Sequence, residues 1–310
     1  MPSLPRVRRF SDPRAFLARA GPWLMRREVE HTLPLGIARD LASGQEADGS
    51  AGEPDATSGP AASDPGQPDP GPPFYLATAE AEGRILGCIL RTPPRPLVVT
   101  DLPPEAHVPV ARDVADAFGT LPGVIGPRAA AAAFARAWSE SEGTSAEPSV
   151  HERLFRLERL ILPERRASGE HRRAGRDDRE RVMDWVRAFV EETHIGGPDP
   201  AGTAVRLLER GEVVLWDARG APRSMAAIGA RSPHVARIGF VYTPPAERGQ
   251  GYASACVASL TQDLLGHGCE SVVLFTDLAN PTSNAIYARL GYRPVEDVTE
   301  WSFGPGAEPG

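Results

Sequence analysis

The chain holds 310 residues, 41% of them hydrophobic and 24% charged, a length that suggests two domains and a composition that excludes wholesale disorder, collagen and a membrane bundle. Its 34 basic and 41 acidic residues leave a net charge of −7, so there is no global electrostatic drive toward nucleic acid or an anionic membrane. All 34 of those cations are arginines and lysine is absent, which excludes a Walker-type phosphate loop, a pyridoxal Schiff base and a lysine general base.

The cysteines are Cys88, Cys256 and Cys269. An odd number without C-x-x-C spacing argues against a disulfide framework and a structural zinc site, so no metal is expected and a reducing cytoplasm fits best. Residues 1–10 hold no apolar run long enough for a signal peptide, and no stretch of about 18 apolar residues follows, so neither secretion nor a membrane span is expected.

Residues 1–41 read as the N-terminal part of a first domain. Residues 42–73 are Gly, Pro, Ser, Ala and acid, with six carboxylates and no arginine, the signature of a solvated, disordered insertion. A mixed α/β domain is expected over 74–163. Its strands read at 74–78, 84–91 and 97–100, followed by a helix at 108–118 and a short strand at 123–126. An alanine-rich helix opened by Pro127 runs to Trp138, and a strand spans 151–162.

A second domain is expected over 169–303, with a flexible tail at 304–310. The arginine-rich stretch 172–181 leads into an amphipathic helix with Val182, Trp185, Phe189 and Val190 at helical spacing. A short helix follows Pro200. Strands at 213–217 and 224–230 flank a hairpin turn, and a third at 235–242 stops at Pro244 and Pro245, which have no N–H for a ladder.

Directly after that strand, residues 247–254 read Glu-Arg-Gly-Gln-Gly-Tyr-Ala-Ser, and Ala253, Val257, Leu260 and Leu264 then recur at helical spacing. A glycine turn opening a helix lets backbone approach a ligand and presents unpaired first-turn amides at the positive end of the dipole, a site for phosphate. A Rossmann fingerprint would need Gly or Ala where Ser254 stands, within a parallel βαβ unit. A ligand-free turn is the other alternative.

A strand at 271–276 follows. Asn280-Pro281 then starts a helix bearing Asn284, Ile286, Tyr287 and Leu290 before Gly291-Tyr292. The Arg248-x-x-Gly251-x-Ala253 pattern, with the Asn280…Tyr287…Gly291-Tyr292 segment behind it, resembles the GNAT acyl-CoA N-acyltransferase superfamily over about the second half of the chain. The resemblance implies an α/β fold with a mixed sheet, acetyl-CoA as cosubstrate and a primary amine as acceptor. It implies that amides of Gly249, Gln250, Gly251, Tyr252, Ala253 and Ser254 hold the pyrophosphate and that Arg248 adds charge there. Main-chain groups of Val241, Tyr242 and Thr243 would pair with pantetheine, and Tyr287 would protonate the departing thiolate. Asn280 reads both as a helix N-cap and as a residue facing pantetheine; Tyr287 reads also as a packed helix residue.

The general base stays open. The strand 235–243 carries no carboxylate, and His234, Glu300 or an ordered water are the candidates. Cys256, in an apolar helix, reads as core. The first half repeats the coarse element order of the second without its glycine turn, so it reads as a degenerate tandem copy that completes the acceptor pocket or packs against the other half. The turn at Gly123 to Pro127 needs no ligand. The expected function is N-acetyl transfer from acetyl-CoA to an amine by direct attack. The rival is a non-catalytic acyl-CoA-binding or regulatory module, and a scaffold that retains no coenzyme is a third reading.

Overall fold

The computed structural model describes residues 4–44, 73–163, 167–193 and 199–306. Most of the acidic insertion and the end of the tail lie outside these residues. The first half runs β1 (Arg6–Phe10), α1 (Pro13–Leu24), α2 (Thr32–Ala42), β2 (Tyr75–Ala81), β3 (Arg84–Arg91), β4 (Leu97–Val99), α3 (Pro104–Phe118), β5 (Gly123–Pro127), α4 (Arg128–Glu142) and β6 (Ser145–Leu157). The second runs β7 (Glu170–Arg173), α5 (Arg179–Thr193), α6 (Pro200–Glu209), β8 (Val213–Ala218), β9 (Ala221–Arg231), β10 (Val235–Tyr242), α7 (Tyr252–Gly266), β11 (Ser271–Asp277), α8 (Pro281–Arg289) and β12 (Tyr292–Gly304). The order β-α-α-β-β-β-α-β-α-β therefore occurs twice.

All the strands join one mixed sheet in the order β1-β2-β3-β4-β5-β12-β6-β11-β10-β9-β8-β7. The halves exchange their last strands. β6 leaves the first half to pair antiparallel with β11, and β12 leaves the second to pair antiparallel with β5. The exchanged strands then pair with each other along their whole length, from Tyr292 opposite Leu157 to Gly304 opposite Ser145.

The exchange places side chains of one half in the core of the other. Phe155 of β6 is 5% exposed and packs with Ile238, Val257, Leu274 and Tyr292 beneath α7 and α8. Trp301 and Phe303 of β12 pack on the first-half core around Phe134 and Trp138. On the other sheet face, α2 lies over β9 and β10, with Gly36 facing Ala230.

Several elements differ from the sequence reading. β1, α1 and α2 lie within a stretch read only as part of a domain. Where the sequence predicts an arginine-rich lead-in from 172, the structure has β7, a four-residue edge strand, Glu-His-Arg-Arg, and charged side chains are how sheet edges resist further pairing. β6 starts at Ser145 and ends at Leu157, not 151–162, because its polar first half is held by β12. α3 begins at Pro104, four residues before the expected start, and α4 runs on to Glu142.

Phe155→Ala removes a large side chain from the core of the other half. We expect a loss of about 3–5 kcal/mol, with both halves unfolding in one denaturant transition monitored by tryptophan fluorescence.

Candidate active site

β10 and β11 run parallel and pair only over Val235–Ile238 and Ser271–Leu274. Beyond Ile238 they part, although β10 continues to Tyr242 and β11 to Asp277. The cause is local. Phe240 sits at φ 49, and pairing with β9 is irregular between Gly239 and Tyr242; an extra residue in left-handed backbone bends a strand out of its ladder. Phe240 against Phe189 (5.2 Å) and Tyr242 against Trp185 (6.1 Å) fasten the bulge to α5. A slot therefore opens between β10 and β11, and the edge of Gly239 to Tyr242 that faces it has no strand partner.

At the mouth of the slot, Gly249 and Gly251 have φ 78 and φ 80, which an L side chain rarely adopts. Space is not the constraint at Gly249, where an added Cβ would meet nothing within 4 Å. Gly251 is the N-cap of α7 and offers no side-chain acceptor to the helix. Among the described residues, none of the backbone N–H groups from Gly249 to Ser254 has a hydrogen-bond partner. A run of unpaired amides at the positive end of a 15-residue helix favours an anion. In the first half the same position opens with Pro103 and Pro104, which have no N–H, and Leu102 is buried beside Gly87. There the slot is closed too, since Gly126 packs directly on the Val99 carbonyl.

The side chains around the turn divide by role. Gln250 is exposed, Ala253 and Ser254 are half-buried, and the Tyr252 ring is core, 4% exposed, leaving only its amide available. Arg248 is folded back: its Nε donates to the Thr243 carbonyl (2.9 Å) and its Nη2 lies 2.6 Å from Glu192. The pair with Glu192 is exposed, and such pairs contribute at most about 1 kcal/mol, so Arg248 can exchange it for a phosphate. The Tyr242 carbonyl accepts from the Ser224 hydroxyl, and Val241 lies inside the irregular stretch of pairing with β9.

α8 begins beside the slot. Its N-cap is Asn280, whose Oδ1 accepts from the Ser283 N–H at 3.0 Å, so the side-chain acceptor is used by the helix. Asn284 is the better placed amide. Its Nδ2 donates to the Asp277 carbonyl at 3.1 Å, whereas its Oδ1 is buried with no partner among the described residues, an acceptor lacking a donor. Tyr287 and Tyr292 pack edge to face with centroids 6.2 Å apart. The Tyr292 hydroxyl is bonded to Thr261 at 2.6 Å; the Tyr287 hydroxyl has no partner among the described residues. Burial pushes the Tyr287 phenol above its ordinary range, which keeps its proton in place at neutral pH.

The opposite face of the sheet carries charge that the sequence reading missed. Glu152 of β6 stands across from Asp277, the last residue of β11, and across from Val298 of β12. Burial pushes its carboxyl up to about 7; Arg237 pulls the other way, while Glu300 and Asp277 reinforce burial. No hydrogen bond or ion pair among the described residues holds the Glu152 side chain, yet it keeps some exposure to solvent. Nothing in the local sequence marks Glu152, because its neighbours are brought in from β10, β11 and β12.

His234 does not serve the slot. It lies at the opposite end of β10, its Nδ1 is 2.8 Å from Glu28, and that partner raises its pKa. Glu300 is partly buried with its carboxyl raised by burial, one strand further from the slot than Glu152. Cys256 is fully buried, its Sγ toward the Val214 carbonyl at 3.7 Å, and burial raises the thiol. Among the described residues no helix is long and apolar enough to cross a membrane, and no cluster could hold a metal ion.

Residues 168–292 match the profile of the acetyltransferase (GNAT) family. They form a GNAT acetyltransferase domain. An aminoglycoside N(6')-acetyltransferase type 1 from Serratia marcescens is 33% identical over 70 residues, 23% of this chain, and the match spans 48% of that relative's length. An acetyltransferase from the GNAT family of Colwellia psychrerythraea has a TM-score of 0.57 at 13% identity, covering 96% of this chain and 100% of its own. A GCN5-related N-acetyltransferase from Sphaerobacter thermophilus has a TM-score of 0.56 at 16% identity, with 100% and 99% covered. Both span the two halves of this chain, so the fold of both halves is shared with them.

The raised carboxyl has a stability consequence. With the folded pKa above the unfolded one, the native state binds more protons between about pH 4.5 and pH 7, so stability falls as pH rises through that window. Glu152→Gln removes the effect. We expect its Tm to exceed that of the wild type by a few degrees at pH 8 and the difference to close by pH 4, checked by calorimetry.

Proposed function

We propose that the protein transfers an acetyl group from acetyl-CoA to a primary amine by direct attack. The unpaired amides of Gly249 to Ser254 support this reading most strongly. Outward amides at the positive end of the helix dipole suit a diphosphate, and the slot beside them opens where β10 and β11 stop pairing. Pantetheine, a thin chain bearing two amides, would satisfy the free edge of β10 around Val241 and Thr243 much as an added strand does. The partnerless Oδ1 of Asn284 would accept from one of those amides. Arg248 would add charge at the phosphates, and Asn280 would cap α8 beside the pantetheine.

The chemistry needs no protein nucleophile. The amine lone pair attacks the thioester carbonyl carbon, the C–N bond forms, and the tetrahedral intermediate expels the thiolate as the C–S bond breaks. Tyr287 would supply the proton that the thiolate takes; its unengaged hydroxyl, kept protonated by burial, supports that role. The amine is the open part of the reading. The name of the Serratia relative makes an aminoglycoside one acceptor to screen, beside a polyamine, an amino acid and a peptide N-terminus.

The absence of a carboxylate on β10 favours the second reading, a module that binds acyl-CoA without turning it over. Calorimetry with acetyl-CoA and thiol release with the amine panel separate the two: binding without turnover of any amine supports the module.

Gly251→Val places a β-branched side chain at φ 80 in the turn. We expect acetyl-CoA affinity to fall at least about tenfold with the fold retained, read by calorimetry and circular dichroism. Tyr287→Phe is expected to lower kcat by about 10- to 100-fold while acetyl-CoA affinity changes less than about twofold.

A further inference from the structure

We propose that Glu152, a residue of the first half, is the general base for the transfer carried out in the second, taking the proton of the incoming amine directly or through one water. The proposal rests on the acetyl-transfer reading above and names a group that this reading leaves unassigned.

Topology carries the first part of the argument. The exchanged strand β6 sets Glu152 opposite Asp277, three residues beyond Leu274, where β10 and β11 last pair. Glu152 is therefore at the end of the sheet where the slot opens. It shares a face with Leu154, Val235 and Val273, whereas Tyr287 packs with Ile238 and Leu274 on the other. In the tetrahedral intermediate nitrogen and sulfur occupy separate corners of one carbon, so two separate groups can serve them, and Glu152 and Tyr287 lie on the two faces of the sheet at the slot.

The surroundings of Glu152 carry the second part. Among the described residues, its carboxylate is the acid beside the slot that makes no hydrogen bond or ion pair. Asp277 uses Oδ1 to accept the Ala279 N–H at 2.8 Å, and Glu300 lies a strand further away. Arg237 of β10 faces Glu152 without an ion pair within 4.0 Å among the described residues, and its ring contact is with Phe275 at 5.9 Å. The other charges near Arg237 are Asp40 of α2 and Arg95 of the loop before β4, both from the first half. Arg237 holds part of the Glu152 population ionised, and burial with Asp277 and Glu300 keeps the carboxyl basic. A base titrating near neutral pH combines ionisation with proton affinity at its best compromise.

The proton balance then closes. Nitrogen loses a proton to the Glu152 carboxylate as the C–N bond forms, and sulfur gains the Tyr287 proton as the C–S bond breaks. Solvent afterwards returns a proton to Tyr287 and removes one from Glu152. On this account the first half is retained because the exchanged strand supplies the base that β10 lacks.

The test compares the full-length wild type with Glu152→Gln and Glu152→Asp. Acetyl-CoA binding is measured by calorimetry. Thiol release is followed from pH 5.5 to 9 with the amine that the wild type uses fastest among spermidine, an aminoglycoside, an amino acid and a peptide. The proposal expects acetyl-CoA affinity within about twofold in all three proteins. It expects kcat/KM for the amine to fall at least about 100-fold in Glu152→Gln near neutral pH. The low-pH limb of the wild-type profile disappears in Glu152→Gln and survives in Glu152→Asp. Wild-type turnover by Glu152→Gln, with the low-pH limb intact, overturns the base assignment and leaves acetyl transfer standing. Loss of the limb together with loss of acetyl-CoA affinity overturns it too, by assigning Glu152 to the coenzyme site. Failure of every protein, the wild type included, to bind acetyl-CoA overturns both readings at once.

Discussion

The parting of β10 from β11 is the constraint on which the rest of the site depends. Two parallel strands that pair over four positions and then separate leave main-chain groups on their facing edges without a strand partner, and those groups need water or a ligand instead. The bulge at Phe240, pinned by Phe189, keeps the gap open. The prolines at 244 and 245 prevent β10 from running on, and the glycines at 249 and 251 turn the chain so that α7 starts with its amides outward. Together these features suit a phosphate-tailed, amide-bearing chain.

The first half shows the same scaffold with that constraint removed. β4 and β5 pair at two positions and then stay close, Gly126 lying on the Val99 carbonyl, and prolines replace the amides at the start of α3. The freed surface has other uses. α2 packs over β9 and β10, Glu28 ties down His234, and β6 crosses into the sheet of the second half. The exchange of β6 and β12 means that neither half owns a complete sheet, and it sets residues of both halves around the slot.

Much of the candidate site's local geometry is legible in the sequence because its signals are local. The apolar run 235–242 stopped by two prolines, the glycines spaced for a helix-opening turn, and the Asn-Pro start of α8 each depend on residues within one turn or strand of one another. What escaped did so for physical reasons. β1 and β7 are the outer strands of the sheet, and their arginines and glutamate protect open edges while erasing the alternation that marks a strand. The first half of β6 is polar and contains Pro148, opposite a register shift in β12, so its place in the middle of the sheet is set by a partner about 150 residues away. Glu152 is ordinary in its own neighbourhood, and its environment exists only after four strands assemble.

Central to this account is that the slot between β10 and β11, with the amides at the start of α7, receives the coenzyme. A crystal structure with bound acetyl-CoA tests it most directly. The account predicts diphosphate oxygens within hydrogen-bond distance of the amides between Gly249 and Ser254, pantetheine lying along β10 from Gly239 to Thr243, and the sulfur beside the Tyr287 hydroxyl. Coenzyme density elsewhere, with those amides turned to solvent or covered by protein, would contradict it.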